Sequence, residues 1–342
     1  MAVKFRSNVP SATLASLVVL VAFGVVCVSS LGERRALASH VRCGDTITAD
    51  TTLDSDLIDC PNNGIVIGAN GVTLDLNDHT IDGDNALVDP CPENEFCDVG
   101  VANDGHNAVR IMGGTVQQFG PGVFIFGARK NHLVNLSTVE NTFNGIVLVD
   151  TTRSRVKGSS ASRNGLTTDF PGMALVESHN NRIAHNTMSN NGDAGLLLLG
   201  SDHNRISKNT GRPNPEGGIA IEGDDNTIVR NRMIRTGILI TIVEHGGRAV
   251  GNLVARNQVR DAPKNGIVVD SVPKGTVIRR NHVFGAGADG ITVDSPRTTL
   301  TRNEARRNHE LGIQAVEGVT DGGGNRASGN GDPRQCINVS CS

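Results

Sequence analysis

The 342-residue chain carries 32 Lys plus Arg against 35 Asp plus Glu, a formal net charge of -3, with no Trp, no Tyr and only 9 Phe. That balance excludes a chain that grips nucleic acid through bulk charge. The shortage of flat rings, on which sugar faces and nucleobases stack, argues against a tight neutral-sugar lectin or a single-strand nucleic-acid binder.

The amino terminus has Lys4 and Arg6, an apolar run from Ala12 to Val28, and the small-x-small triplet Ala36-Leu37-Ala38. Residues 1–38 therefore read as a secretory signal peptide; an uncleaved anchor and a lipoprotein cysteine at Cys27 are the alternatives. Its removal takes away four basic side chains and only Glu33, so the remainder is more acidic. The product is expected to be secreted or held in the cell envelope, with no membrane contact after cleavage. Cys43, Cys60, Cys91, Cys97, Cys336 and Cys341 remain, an even set that suggests disulfides in an exported chain. They fall into three sequence-local couples, which favours 43 with 60, 91 with 97 and 336 with 341. Neither the spacings nor the nearby histidines make a zinc pattern.

Residues 39–83 read as an amino-terminal cap and first coil, and residues 84–99 as an inserted loop. From residue 100 a glycine followed by alternating apolar residues recurs, as in Gly122 "GVFIF", Gly145 "GIVLV", Gly195 "GLLLL", Gly218 "GIAIE", Gly266 "GIVVD" and Gly290 "GITVD". The mean spacing is about 24 residues, within the range of solenoid repeats. Positions one and three after each glycine are apolar except at Asn103, a strand signal of period two. A second motif follows each polar turn: "NRIAHN" (181–186), "NRISKN" (204–209), "NTIVRN" (226–231) and "NLVARN" (252–257), with looser copies at 276–281 and 298–303. Short strands between Asn and Gly corners, with no helical periodicity, predict an all-β, single-stranded parallel β-helix over residues 100–325. One coil cannot bury its own apolar row, whereas stacked coils pair every strand above and below. Asn suits the corners because it tolerates left-handed backbone and stacks into ladders. Residues 326–342 read as a carboxy-terminal cap, since an open solenoid must hide its last edge.

These repeats resemble those of right-handed parallel β-helix proteins, the pectin-lyase-like group with NosD-type and carbohydrate-processing members. The opening "CGDTITADTTLDSDLIDCPNNGIVIGANGVTLDLNDHTIDG" (43–83) resembles the amino-terminal entry of its secreted bacterial members. The resemblance implies a right-handed coil; it is specific for fold and poor for activity, since this fold hosts lyases, hydrolases, epimerases, adhesins and assembly factors. The tyrosine-dependent sites of the group have no counterpart, because the chain has no Tyr.

If positions one and three point inward, positions two and four point out. Position four is apolar at Phe126, Val149, Val176 and Leu199 and acidic at Glu222, Asp270 and Asp294. Asp270 and Asp294 fall on adjacent coils, about 4.8 Å apart, with Glu222 two coils from Asp270. Such a pair suits acid and base chemistry on a glycosidic bond, with Glu222 as auxiliary and Thr241 and Thr292 as substrate contacts; a calcium ion held by Asp270 and Asp294 is the alternative. Asp224 and Asp225 read as turn residues. The apolar half, Phe124, Phe126, Val149 and Leu199 among it, is large enough to need cover from a loop such as 84–99, with self-association second. A basic row, His185, Lys208, Arg230, Arg256, Arg280 and Arg302, precedes the closing Asn of the second motif; it would suit an acidic polysaccharide along the axis, or be a solvated face. The leading expectation is an exported protein that binds or processes a polysaccharide, an acidic one by preference, as lyase, hydrolase or epimerase. A non-catalytic extracellular platform and a NosD-like role in metal-cofactor assembly are the alternatives, though no Cys or Met cluster supports copper.

Overall fold

The computed structural model describes residues 40–87, 91, 97–241, 249–270 and 275–342; the expected signal peptide lies outside them. The described residues contain no helix and wind a parallel β-solenoid with three strands to a coil. One coil gives the plan: Ile267–Val269 lies on face one, Val277–Arg279 on face two and His282–Phe284 on face three, before Ile291–Val293 returns to face one. Ile267, Val268 and Val269 stand opposite Ile291, Thr292 and Val293 in parallel register. Thirteen strands stack on face one.

Each recurring glycine does open a face-one strand, and the alternating positions behave as their period requires. Positions one and three, for instance Ile219 and Ile221 or Ile291 and Val293, are 0 % exposed. Asn103, the polar exception, is buried too, with its side chain turned back on both the N–H and the C=O of His106. The opening glycine is fixed by close approach: a Cβ at Gly290 would stand 2.5 Å from Asn308 Nδ2 and 2.6 Å from the Gly312 carbonyl oxygen.

Winding begins before the repeat becomes visible in sequence. Asp45–Ile47 and Ile65–Ile67 already pair on face one, and Cys336–Ile337 pairs with the strand that begins at Ile313. Disulfides Cys43–Cys60 and Cys336–Cys341 brace these two ends, and Cys91–Cys97 closes a six-residue span in the early insertion. Residues 88–90 and 92–96 of that insertion lie outside the described residues.

The corners are held by buried asparagines. Between faces two and three stand Asn186, Asn209, Asn231, Asn257, Asn281, Asn303 and Asn325, none more than 1 % exposed. The backbone N–H of each donates to the side-chain oxygen of the next at 2.8–3.1 Å. Asn231 Nδ2 also donates to Asn257 Oδ1 and to the Ile206 carbonyl. A second ladder, Asn181, Asn204, Asn226 and Asn252, holds the corner between faces one and two. The residue before each rung of the first ladder turns through left-handed backbone: His185, Lys208, Arg230, Arg256, Arg280 and Arg302 have φ of 54 to 61°. Asp225, with φ 53°, is likewise a corner residue, and Asp224 Oδ1 accepts from the Val250 N–H.

Asn231→Ala would strand the buried Asn209 N–H that now donates to Asn231 Oδ1, and would leave the Asn209 amide only its bond to the Ile183 carbonyl. Unpaired buried groups cost about 1–3 kcal/mol each, so urea unfolding should show a loss of at least that order with the β signal of the folded state unchanged.

Candidate functional site

The register of face one carries the outward column intact. The N–H groups of Thr241, Asp270 and Asp294 donate to the carbonyls of Ile221, Ile240 and Val269 at 3.0, 3.0 and 2.8 Å. Glu222, Thr241, Asp270, Asp294 and Val316 therefore follow one another coil by coil. Asp270 and Asp294 are both partly exposed at the edge where the chain leaves face one. Thr241 Oγ1 donates to Asp270 Oδ2 at 3.0 Å and orients that carboxylate. The Asp294 carboxyl is pushed above the ordinary Asp range, first by burial and then by the negative charges of Asp270 and Asp289.

Two sequence expectations change here. Glu222 is 2 % exposed, so it does not line an open strip. Thr241 and Thr292, at 8 % and 6 %, are also buried and face carboxylates instead of solvent. The alternation of a strand fixes the direction of a side chain, but neighbouring chain decides whether that direction is open. Arg230, Arg256, Arg280 and Arg302 stand on a different face from the acidic strip. They are exposed, but they stand at the corner between faces two and three, with a face-two strand between them and the acidic edge. One groove cannot present both rows to the same segment of polymer.

Asp289 was not singled out by the sequence reading. It is 4 % exposed, its Oδ1 accepts from the Leu311 N–H at 2.8 Å, and its Oδ2 accepts from Thr292 Oγ1 at 3.3 Å. The only signal was an Asp just before a strand glycine, where other coils have Asn144 or Asn265. On the rim where the chain enters face one, a cavity of about 180 Å³ is lined by Asn214, Glu216, Leu239, Lys264 and Val268, among others. Val268 and Asp270 stand on either side of the buried Val269 at the end of one face-one strand, so the cavity and the carboxylate pair share face one. Asp193, on the same rim, also has a raised carboxyl, through burial first and then Glu216 and Asp169.

The apolar half of face one is partly open: Phe126 is 37 % exposed, while Phe124, Val149 and Leu199 are partly buried. Half of the 84–99 loop expected to cover it, residues 88–90 and 92–96, lies outside the described residues. For calcium, the strip offers two partly exposed carboxylates, and no group of three or more His, Cys, Asp or Glu that could hold a metal occurs among the described residues.

A raised Asp pKa means that the folded state binds the proton more tightly than the unfolded chain. Stability from this group is therefore full at acid pH and is lost as pH rises from the ordinary Asp value through the folded one. Asp294→Asn should raise the melting temperature at pH 7 and flatten its fall between mildly acid and neutral pH, as read by thermal unfolding across that range.

The family whose description is periplasmic copper-binding protein (NosD) matches residues 77–257, and a right-handed β-helix family matches residues 201–339. No curated protein matches the chain. Among solved structures, the catalytic unit of a GH87 α-1,3-glucanase from Streptomyces thermodiastaticus strain HF3-3 is similar at 16% identity and TM-score 0.58, over 84% of this chain and 63% of that one. The chain thus spans less than two thirds of that unit. A double mutant of the periplasmic alginate epimerase AlgG is similar at 15% identity and TM-score 0.54, over 86% and 73%. DFA-IIIase from Arthrobacter chlorophenolicus A6 follows the same path at 13% identity and TM-score 0.53, over 71% and 67%. At these identities the likeness is one of fold.

Copper, which the family description implies, does not fit the donors on the page. Cys43, Cys60, Cys91, Cys97, Cys336 and Cys341 are all spent in disulfides; Met173, Met188 and Met233 are core residues at 0–1 % exposure, and Met112, partly exposed, has its sulfur against the Arg110 guanidinium. The thiolates are thus withdrawn, and the described residues offer copper one partly exposed thioether, short of the cluster of soft ligands that selects it.

Proposed function

The chain belongs to the family of the periplasmic copper-binding protein NosD, and on that scaffold we propose that it hydrolyses a glycan along face one, with Asp294 as acid and Asp270 as nucleophile. The observation that carries this reading is the in-register pair itself, one member of which has its pKa raised by burial first and then by the neighbouring negative charges. Carboxyl groups with environments that differ in this way are the usual basis for dividing acid and base roles.

In the proposed reaction the Asp294 carboxyl gives its proton to the glycosidic oxygen as the bond to the anomeric carbon breaks. Asp270, oriented by the Thr241 hydroxyl, attacks that carbon. Asp294, now ionised, takes a proton from water, which displaces Asp270 and frees the second sugar. The coil repeat of about 4.8 Å is near the ~5–5.5 Å carboxyl separation of retaining enzymes and short of the wider inverting gap. Absence of Tyr disfavours the tyrosine-dependent lyase and epimerase chemistry found on this fold. The cavity beside Val268 and Leu239 is the natural place for a neighbouring sugar. Around the reacting bond a uronate would meet Asp270, Asp294 and Asp289, so an uncharged sugar suits the cleavage point better. The three disulfides and membership of a periplasmic family support export.

Incubation with a panel of neutral and uronate-containing glycans should release new reducing ends of retained anomeric configuration, without unsaturated product. Asp294→Asn and Asp270→Asn should each lower the rate by about 10²–10⁴-fold. Activity surviving both substitutions would overturn the assignment. A requirement for added calcium would favour the cation alternative at the same pair. Concentration-dependent assembly with no turnover on any glycan would favour the non-catalytic platform.

A further inference from the structure

Face two of the amino-terminal coils carries a ladder that the repeat motifs did not bring out. Arg110 stands opposite His132, His132 opposite Arg155, Arg155 opposite Arg182 and Arg182 opposite Arg205. Five successive coils thus place a basic side chain at one position, bounded by Thr73 on one side and Thr227 on the other. Arg155, Arg182 and Arg205 are exposed, and Arg110 and His132 are partly so. The next outward position on these strands adds Lys157, and the adjoining corner adds His185 and Lys208.

Cations stacked about 4.8 Å apart repel, and a folded chain normally relieves this with interleaved carboxylates. Here none is interleaved: the face-two strands of these coils contain no Asp or Glu, and none of the ladder residues forms a salt bridge among the described residues. The field is felt by His132, whose imidazole pKa is lowered by burial first and then by Arg155 and Arg110. A cavity of about 270 Å³ opens in the ladder between Arg155, Lys157, Arg182 and His185. The corner row continues the same basic track toward the carboxy terminus, and it does so at a backbone cost. Gly158 and Gly324 take the same left-handed corner at its two ends, while Lys208, Arg230, Arg256, Arg280 and Arg302 hold it with a Cβ that left-handed backbone disfavours.

We infer that the Arg110–Arg205 ladder of face two is a docking site for an anionic polysaccharide, one lying along the solenoid axis with its carboxylate or sulfate groups against successive coils. An extended polymer matches a one-dimensional row of fixed repeat. Duplex DNA is a poorer match, since its phosphates advance about 3.4 Å along the axis per strand, and the ladder offers no aromatic ring for a single-stranded base. The site is separate from Asp270 and Asp294, and its occupancy does not depend on the hydrolysis proposed there.

The test is equilibrium binding of the disulfide-bonded chain to polygalacturonate oligomers, with dextran and oligo(dT) as parallel probes, at low and high NaCl. Polygalacturonate should bind at low salt, weaken steeply with salt and exceed both other probes. The Arg155→Ala/Arg182→Ala double variant should lose about tenfold or more in affinity with unchanged thermal unfolding. Arg155→Lys/Arg182→Lys should retain most of it, and Asp270→Asn should leave it intact, so that failure of the docking site and failure of the hydrolase reading are told apart. Equal affinity in the double alanine variant, equal binding of dextran, or tighter binding of oligo(dT) would overturn the proposal.

Discussion

The buried asparagine ladder is the constraint on which the rest of this molecule depends. Each rung gives its side-chain oxygen to the backbone of the coil before it and its amide to the coil after it, as Asn231 does between Asn209 and Asn257. A side chain with both a donor and an acceptor can repeat this indefinitely, which an ionised Asp cannot, and Ser154 and Ser159 take the same place in earlier coils. Any slip between coils would leave several buried polar groups unpaired at once, and the low dielectric of the corner makes that expensive. Register is therefore locked by polar groups, while the apolar rows inside supply most of the driving force.

Locked register turns every outward position into a column, and columns amplify charge. Asp270 above Asp294 and Arg155 above Arg182 pose the same electrostatic problem with opposite sign. The acidic column is eased internally, by an Asp294 carboxyl whose pKa is raised by burial and its acidic neighbours and by a hydroxyl donated to Asp270. An arginine cannot shed its charge in this way, so the basic column keeps its field for whatever lies outside. That asymmetry is why the acidic edge reads as a place for chemistry and the basic face as a place for attachment.

Fold was the most legible property of the sequence, because the period of about 24 residues and the alternation behind each glycine report burial directly. Ile219, Ile221, Asp225 and Asn231 all take the positions that pattern assigns them. The first coils were less legible: Asp45–Ile47 and Ile65–Ile67 occupy face one without the full repeat signature. At the site, the column itself was readable, whereas exposure was not. Glu222, Thr241 and Thr292 point outward and are nonetheless covered, since coverage depends on loops that periodicity does not describe. Asp289 escaped notice because its role depends on Thr292 and Leu311 reaching it across a coil. The Arg110–Arg205 ladder is hard to read from sequence for a related reason: its members follow the earlier Asn, as Arg182 and Arg205 do, or stand in coils with no clear motif.

Charge segregation between the faces has a consequence for how a polymer could be handled. An anionic chain drawn to face two is kept from the acidic edge of face one by the same electrostatics that attracts it. Attachment and cleavage would then act on different polymers, or on differently charged stretches of one, without competing for a single groove. A solenoid suits that division, because its faces share a core and a register while a strand-width of backbone keeps their fields apart. Salt would weaken attachment at the exposed arginines well before it altered the partly buried carboxyl pair, so the two activities are separable by ionic strength alone.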